Sequence, residues 1–470
     1  MNDYLNTVGE QIRWKRARPV LLRELEQHVT DQRDDFLAEG ADGESAERMA
    51  VEEMGDPVTV GTELDRLHRP KPQWGLLAAT LALALLGGFL RVWLTASAAE
   101  YYENIDPILT AQAIALGSLC LLGGYFLDYT WLVRNASSVY IGVVGLGLMM
   151  LEMSPSYAHY VVLLYPTAYA LWLYHCRGRG WEGFFLAVFG GLPLIAIEGA
   201  APDMLGVCIL LMTGLALLLS AAASDWFGIG KKWTAAAAAG VAAAVALAAV
   251  WMAVGYGFMQ RRLSLCLHPE QDPLGYGYQG VMVRRALAAS QWLGEGSEMI
   301  SPYPYEQSVP DWNRDFLLTT VVYKLGWLPF LLLALAVAGL LLWLLWKCLC
   351  QKNQAGRLVA LSVIVPLGLQ AVLSVMQNLG YLLFSASMPL VTGNLATVVF
   401  MGLIGMALSV FREERIAPAI CGAGHEARYP LPRIRLSFQN EEDAQNGDWV
   451  LGVSLIISEA GTNAAEESSF

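Results

Sequence analysis

Between Gly75 and Phe411 long apolar blocks alternate with short polar connections, whereas both ends of the chain are polar. A helix that crosses a bilayer needs roughly twenty mostly apolar residues. The pattern predicts about ten such spans, near 75–97, 108–131, 138–153, 157–175, 183–200, 203–223, 233–256, 316–346, 358–380 and 388–411. Connections alternate in charge. Arg134, then Arg177 and Arg179, then Lys231 and Lys232, then Lys347, Lys352 and Arg357 occupy every second one. The intervening AEYYENID, MSPSYAH, EGAAPD and LLFSASMP carry no Lys or Arg. Short basic connections stay on the cytoplasmic side, which predicts cytoplasmic termini and an extracytoplasmic loop over 257–315. The run AAAAAGVAAAVALAAV at 235–250 has side chains small enough for close helix contact.

Residues 1–68 read as a separate helical unit. Leu21, Leu22, Leu25 and Val29 recur at helical spacing. Ser45 reads as an N-cap, Gly55-Asp56-Pro57 as a stop, and VTVGTELDRLH as a new start. Residues 69–74 form a linker that ends in Trp74, a residue type that anchors at membrane interfaces. The tail 412–470 is polar; its segment WVLGVSLIIS at 449–458 is too short to span and reads as a strand or a docking segment. The expected fold class is all-α: a polytopic membrane protein with a small N-terminal cytoplasmic helical bundle.

The composition agrees, with 55% hydrophobic and only 15% charged residues. The formal charge of −12 says little about partners because many acids sit in the two ends, and no nucleic acid is expected. Seven scattered Cys make no disulfide framework. No cleavable signal is expected, since the first seventy residues are charged and helical. Phosphate loops, metalloprotease motifs, nucleophile elbows and Cys/His clusters are absent from the sequence.

Charges at a membrane edge are costly and therefore mark candidate sites. Glu198 and Asp203 flank one short turn, and Arg91 lies in the first span. Asp203 follows Pro202 at a helix start, where a carboxylate either caps free N–H groups or acts on a ligand. His159 and His175 sit at span ends, and His268 in the long loop. That loop concentrates Arg261, Arg262, Arg284, Arg285 and Arg314, and Asp315 closes it just before FLLTTVV. A carboxylate there either caps the helix or abstracts a hydroxyl proton, while forked arginines suit a pyrophosphate.

Two resemblances sharpen these readings. The pattern AERMAVEEMGDPVTVGTELDRLH resembles the HAAS, or permease-prefix, domain that precedes membrane segments in some Gram-positive bacterial proteins. The stretch RRLSLCLHPEQDPLGYGYQ resembles RRxxxFLDPxxDPxGxGYQ of the SEDS family, the bacterial shape, elongation, division and sporulation proteins. LGEG at 293–296, VPDWNRDFLLTTVVYKLG, EGAAPDMLGVCILLMTGLALLLSA, QNLG at 377–380 and PLVTGN at 389–394 are similar to further family segments. The resemblance implies polymerisation of lipid II, an undecaprenyl-pyrophosphate-linked disaccharide pentapeptide, at the outer face of a bacterial plasma membrane. It implies Asp315 as the catalytic base and Arg261, Arg262, Asp272, Tyr278, Gln279, Asp203 and Arg314 as substrate-binding residues. It further implies a class B penicillin-binding protein as partner and a divalent cation, Mg or Mn, at the leaving group. The sequence departs from the family at three places. Pro166-Thr167-Ala168 with Leu171 replaces PSExxK, Val322-Tyr323-Lys324-Leu325-Gly326 replaces GEELG, and Asn313-Arg314-Asp315 replaces HTD. The closing SYGGSS is not recognisable. These departures keep two alternatives open: a lipid-II-binding division scaffold without catalysis, and a flippase.

Overall fold

The computed structural model describes residues 1–15, 17–96, 107–153, 161–201, 203–297, 300–351, 353–392 and 395–412. The expectations for AEYYENID, His159, Pro202, Lys352 and the tail beyond Arg412 lie outside the described residues, as do most of MSPSYAH and the end of PLVTGN.

Four helices make the N-terminal bundle: α1 (Asn2–Gln11), α2 (Arg18–Ala38), α3 (Gly43–Glu53) and α4 (Pro57–His68). Tyr4, Leu5, Val8, Ile12, Ala17 and Leu21 form its core, with Leu22, Leu25, Val51, Met54 and Leu64 packed against it. The expected cap at Ser45 moves three residues back: Asp42 caps α3 by accepting from the Ser45 N–H. An Asp placed before a helix reaches its free amides without competing for the helical conformation, and Asp56 does the same for α4 through Thr59.

The membrane part follows as α5 (Trp74–Ala96), α6 (Pro107–Phe126), α7 (Tyr129–Arg134), α8 (Ala136–Met153), α9 (Tyr165–His175), α10 (Gly180–Gly190), α11 (Leu192–Ala200), α12 (Met204–Ala223) and α13 (Lys231–Gly255). After the long polar interval come α18 (Trp327–Leu349), α19 (Gln354–Asn378) and α20 (Leu395–Arg412). Among the described residues nine stretches are long and apolar enough to cross a membrane, α10 and α11 counting together as one. Within the expected fourth span the described residues form a 3-10 turn at Val162–Leu164 and then the shorter α9, most of whose residues are buried. The chain is therefore a multi-pass membrane protein, all-α across the described residues.

Packing is uneven among the spans. α20 is the most enclosed and lies along α6, where a Cβ at Gly405 would meet the Leu121 carbonyl at 2.2 Å. Glycine lets the two backbones touch, which substitutes for the hydrophobic drive that lipid removes. The alanine-rich α13 is the least enclosed.

Contacts sort the connections onto two faces. On one face the Lys71 N–H donates to the Arg412 carbonyl and the Gln73 N–H to the Tyr125 hydroxyl, so the linker and the end of α20 lie together. On the other face Arg91 donates to the Thr392 carbonyl and Arg262 to the Leu383 carbonyl.

The long interval is itself helical: α14 (Gly257–Leu267), a short 3-10 turn at Pro269–Gln271, α15 (Tyr278–Ala289), α16 (Tyr305–Ser308) and α17 (Leu317–Leu325). The expected span 316–346 is two helices. Gly326 takes φ of 104°, a conformation that side chains resist, and separates α17 from α18.

Candidate functional site

Asp315 sits in the turn Asp311–Phe316 that leads into α17. The Arg314 and Phe316 N–H groups both donate to the Asp311 carbonyl, at 3.0 and 3.2 Å. The N-cap residue of α17 is Phe316, with no side-chain cap, so Asp315 does not serve the helix start. Its half-buried carboxylate accepts a 2.7 Å hydrogen bond from the Ser385 hydroxyl through Oδ2. Ser385 is exposed, so this contact borders open space rather than a dry helix interface.

The two threonines of FLLTTVV hold the turn from both sides. Thr319 donates its N–H to Asn378 Oδ1 at 2.8 Å and its hydroxyl to the Asn378 carbonyl at 3.0 Å. Thr320 donates to the Trp312 carbonyl at 2.7 Å and contacts the Tyr305 hydroxyl at 3.0 Å. Asn378 completes the arrangement by donating Nδ2 to the Asp315 carbonyl at 2.9 Å. Tertiary contacts therefore do for α17 what a cap does elsewhere.

The far end of α17 is held by charge. Lys324 Nζ lies 2.8 Å from Glu295 and 3.1 Å from the buried Glu306. Burial opposes its charge, but bonds to the two carboxylates outweigh burial and hold the ammonium above its usual range. Tyr323 stacks on Tyr305 with centroids 4.5 Å apart. Where the resembling family carries GEELG, this chain inverts the charge and supplies the acids from the loop.

The other predicted residues separate into groups. Arg261 pairs with Asp272 at 3.0 Å and lies over the Tyr276 ring, on an exposed part of α14. Arg262, one residue on, donates to the Leu383 carbonyl at 2.6 Å and so touches the segment that presents Ser385. The Tyr278 hydroxyl donates to the Ser308 carbonyl at 3.0 Å, tying α15 to α16, and Gln279 is half-buried beside it. Arg284 is held by Glu270 at 3.2 Å and by the carbonyls of Cys266 and Leu267. Arg285 and His268 are exposed. Asp203 takes the capping alternative: its carboxylate accepts from the Leu205 N–H at 3.0 Å. Arg314 is exposed next to Asp315 in the chain, a guanidinium suited to a forked contact with an anion, and the buried Arg91 is held on the Thr392 carbonyl.

Sequence reasoning missed Ser385, Gln377 and Lys324. QNLG at 377–380 is the available signal for Gln377 and Asn378; nothing local marks Ser385. At the family's Glu and Lys positions Ala168 and Leu171 are both buried, and the neighbouring Thr167 meets Ser362 at 3.2 Å. Among the described residues no three His, Cys, Asp or Glu side chains converge as a metal would require. A cavity of about 520 Å³ lined by Phe126, Leu127, Asp128, Trp131, Arg134 and Asn135 lies near the linker face, away from Asp315.

Comparison with known proteins gives this arrangement its context. The chain is 28% identical over 367 residues to the probable peptidoglycan glycosyltransferase FtsW of Thioalkalivibrio sulfidiphilus, covering 74% of this chain and 82% of that one. It is 23% identical over 222 residues to the peptidoglycan glycosyltransferase MrdB of Escherichia coli, covering 47% and 58%. Its fold is similar to a chain of a solved peptidoglycan synthase complex that coordinates polymerization and crosslinking, with a TM-score of 0.56, 20% identity, and coverage of 73% and 98%. The FtsW, RodA and SpoVE family of cell cycle proteins matches residues 145–416, more than half of the chain, and the chain belongs to that family.

Proposed function

We propose that the chain is a peptidoglycan glycosyltransferase that polymerises lipid II at the outer face of a bacterial plasma membrane, with Asp315 as the base. One observation carries this reading: Asp315 precedes an apolar helix at a membrane edge, yet its carboxylate serves no cap and remains partly open beside Arg314. In the proposed step Asp315 takes the proton of the acceptor sugar 4-hydroxyl. The freed oxygen pair attacks the anomeric carbon of the growing chain, and the bond from that carbon to the pyrophosphate oxygen breaks. Undecaprenyl pyrophosphate leaves with that electron pair, its charge offset by Arg314 and Arg91. Among the described residues no three-ligand cluster stands ready for the expected Mg or Mn, and the arginines are the proposed partners of the leaving charge.

The alternating charge of the short connections supports cytoplasmic termini and an outward-facing Asp315. A class B penicillin-binding protein is the proposed partner, since polymerised strands need crosslinking. The HAAS-like bundle is the proposed cytoplasmic control element. The apolar Ala168 and Leu171 at the family's Glu and Lys positions favour a second reading, a lipid-II-binding scaffold without turnover. Full-length protein in vesicles with fluorescent lipid II separates these readings. Glycan ladders that a muramidase digests support the polymerase; lipid binding without ladders supports the scaffold; lipid II transfer between leaflets without ladders supports a flippase.

A further inference from the structure

We propose that Ser385 is a positioning residue for the Asp315 carboxylate, brought into register by the adjacent pair Gln377–Asn378 at the end of α19. The inference rests on Asp315 being the base and adds what orients it.

The end of α19 reaches two separate segments at once. Asn378 binds the Asp315 carbonyl at 2.9 Å and Thr319 on the α17 side. Gln377 Oε1 accepts the N–H of Ala386, the neighbour of Ser385, at 2.5 Å. Both amide side chains are only 2% exposed, so neither can swing away without leaving a buried polar group unmatched. Arg262 fixes the Leu383 carbonyl at 2.6 Å, and Gln370 fixes the Ser387 carbonyl at 3.3 Å. Three side chains, Gln377, Arg262 and Gln370, thus clamp a connection without regular secondary structure, and the hydroxyl they deliver meets Asp315 Oδ2 at 2.7 Å.

That contact engages Oδ2, orients the carboxylate and leaves Oδ1 for the incoming sugar proton. A role in folding alone fits poorly, because Ser385 is exposed and its removal uncovers no buried partner.

The test uses full-length protein in lipid nanodiscs. Infrared difference spectra between wild type and Asp315→Asn isolate the Asp315 carboxylate bands, whose symmetric–antisymmetric splitting reports the hydrogen bond to Oδ2. Ser385→Ala is expected to change that splitting and to lower kcat for lipid II polymerisation about tenfold, the worth of one hydrogen bond, with KM and melting temperature unchanged. Ser385→Thr, which keeps the hydroxyl, is expected to restore both. An unmoved splitting in Ser385→Ala, or a Ser385→Thr variant displaced as far as the alanine, would overturn the positioning role. If instead Asp315→Asn polymerises at the wild-type rate, the assignment of the base fails, whatever the Ser385 spectra show.

Discussion

Asp203 and Asp315 occupy nearly the same place in sequence, each a lone acid just before a long apolar run, yet the fold uses them differently. Asp203 caps α12, its carboxylate on the Leu205 N–H at 3.0 Å. Asp315 leaves α17 uncapped and turns to Ser385. The start of α12 is secured locally, within two residues. The start of α17 is secured from afar, by Asn378 across 63 positions, and its end by Lys324 against Glu295 and Glu306. A carboxylate becomes available for chemistry when other groups take over the structural duty it would otherwise perform.

That comparison can be broken by exchanging the roles. Asp315→Asn is expected to lower polymerisation by about a hundredfold or more, the usual worth of a positioned base, with little change in melting. Asp203→Ala is expected to do the reverse, costing about 1 kcal/mol of stability through the lost cap and leaving kcat near wild type. Equal activity losses in the two variants would remove the distinction.

The distant anchors sharpen it further. Lys324→Met strips the buried Glu306 of its nearest cation and is expected to cost about 2 kcal/mol, less than a fully buried pair because the lysine is 24% exposed. Calorimetry or a thermal melt in detergent reads this. The same pair has a pH signature. The Lys324 value is raised in the fold, so its stabilisation is fully present below the unfolded lysine value of 10.5 and is lost as pH climbs through the higher folded one. The melting temperature is expected to drop only in strongly alkaline buffer, and Lys324→Arg, which stays charged, is expected to flatten the drop.

The smallest effect belongs to the exposed pair of Arg261 and Asp272. Arg261→Ala is expected to change stability by less than about 1 kcal/mol, since solvent screens such a bridge. A large loss of lipid II affinity in that variant would bring Arg261 into substrate binding; wild-type affinity would leave it on the loop surface.

Much of the fold is legible in the sequence because membrane spans announce themselves by length and apolarity. The position of Asp315 before FLLTTVV is equally plain. Three things are hidden. The break at Gly326 lies inside an apolar stretch, where only the backbone angle reveals that α17 ends and α18 begins. The choice between capping and availability at Asp203 and Asp315 depends on where a side chain turns, which spacing does not encode. The partners of Asp315, Asn378 and Ser385, are 63 and 70 positions away, and no periodicity joins residues across a connection. In the N-terminal bundle, Ser45 looks like the cap because it opens the apolar pattern, while Asp42, three residues earlier, takes that place.

The central claim is that Asp315 removes the proton that starts chain growth. Its most direct test is the rate at which purified full-length protein converts lipid II into glycan strands on a gel, wild type against Asp315→Asn, with matched melting temperatures. The account predicts strands from the first and, from the second, a rate lower by about a hundredfold or more. Strands of comparable length and yield from both would contradict it.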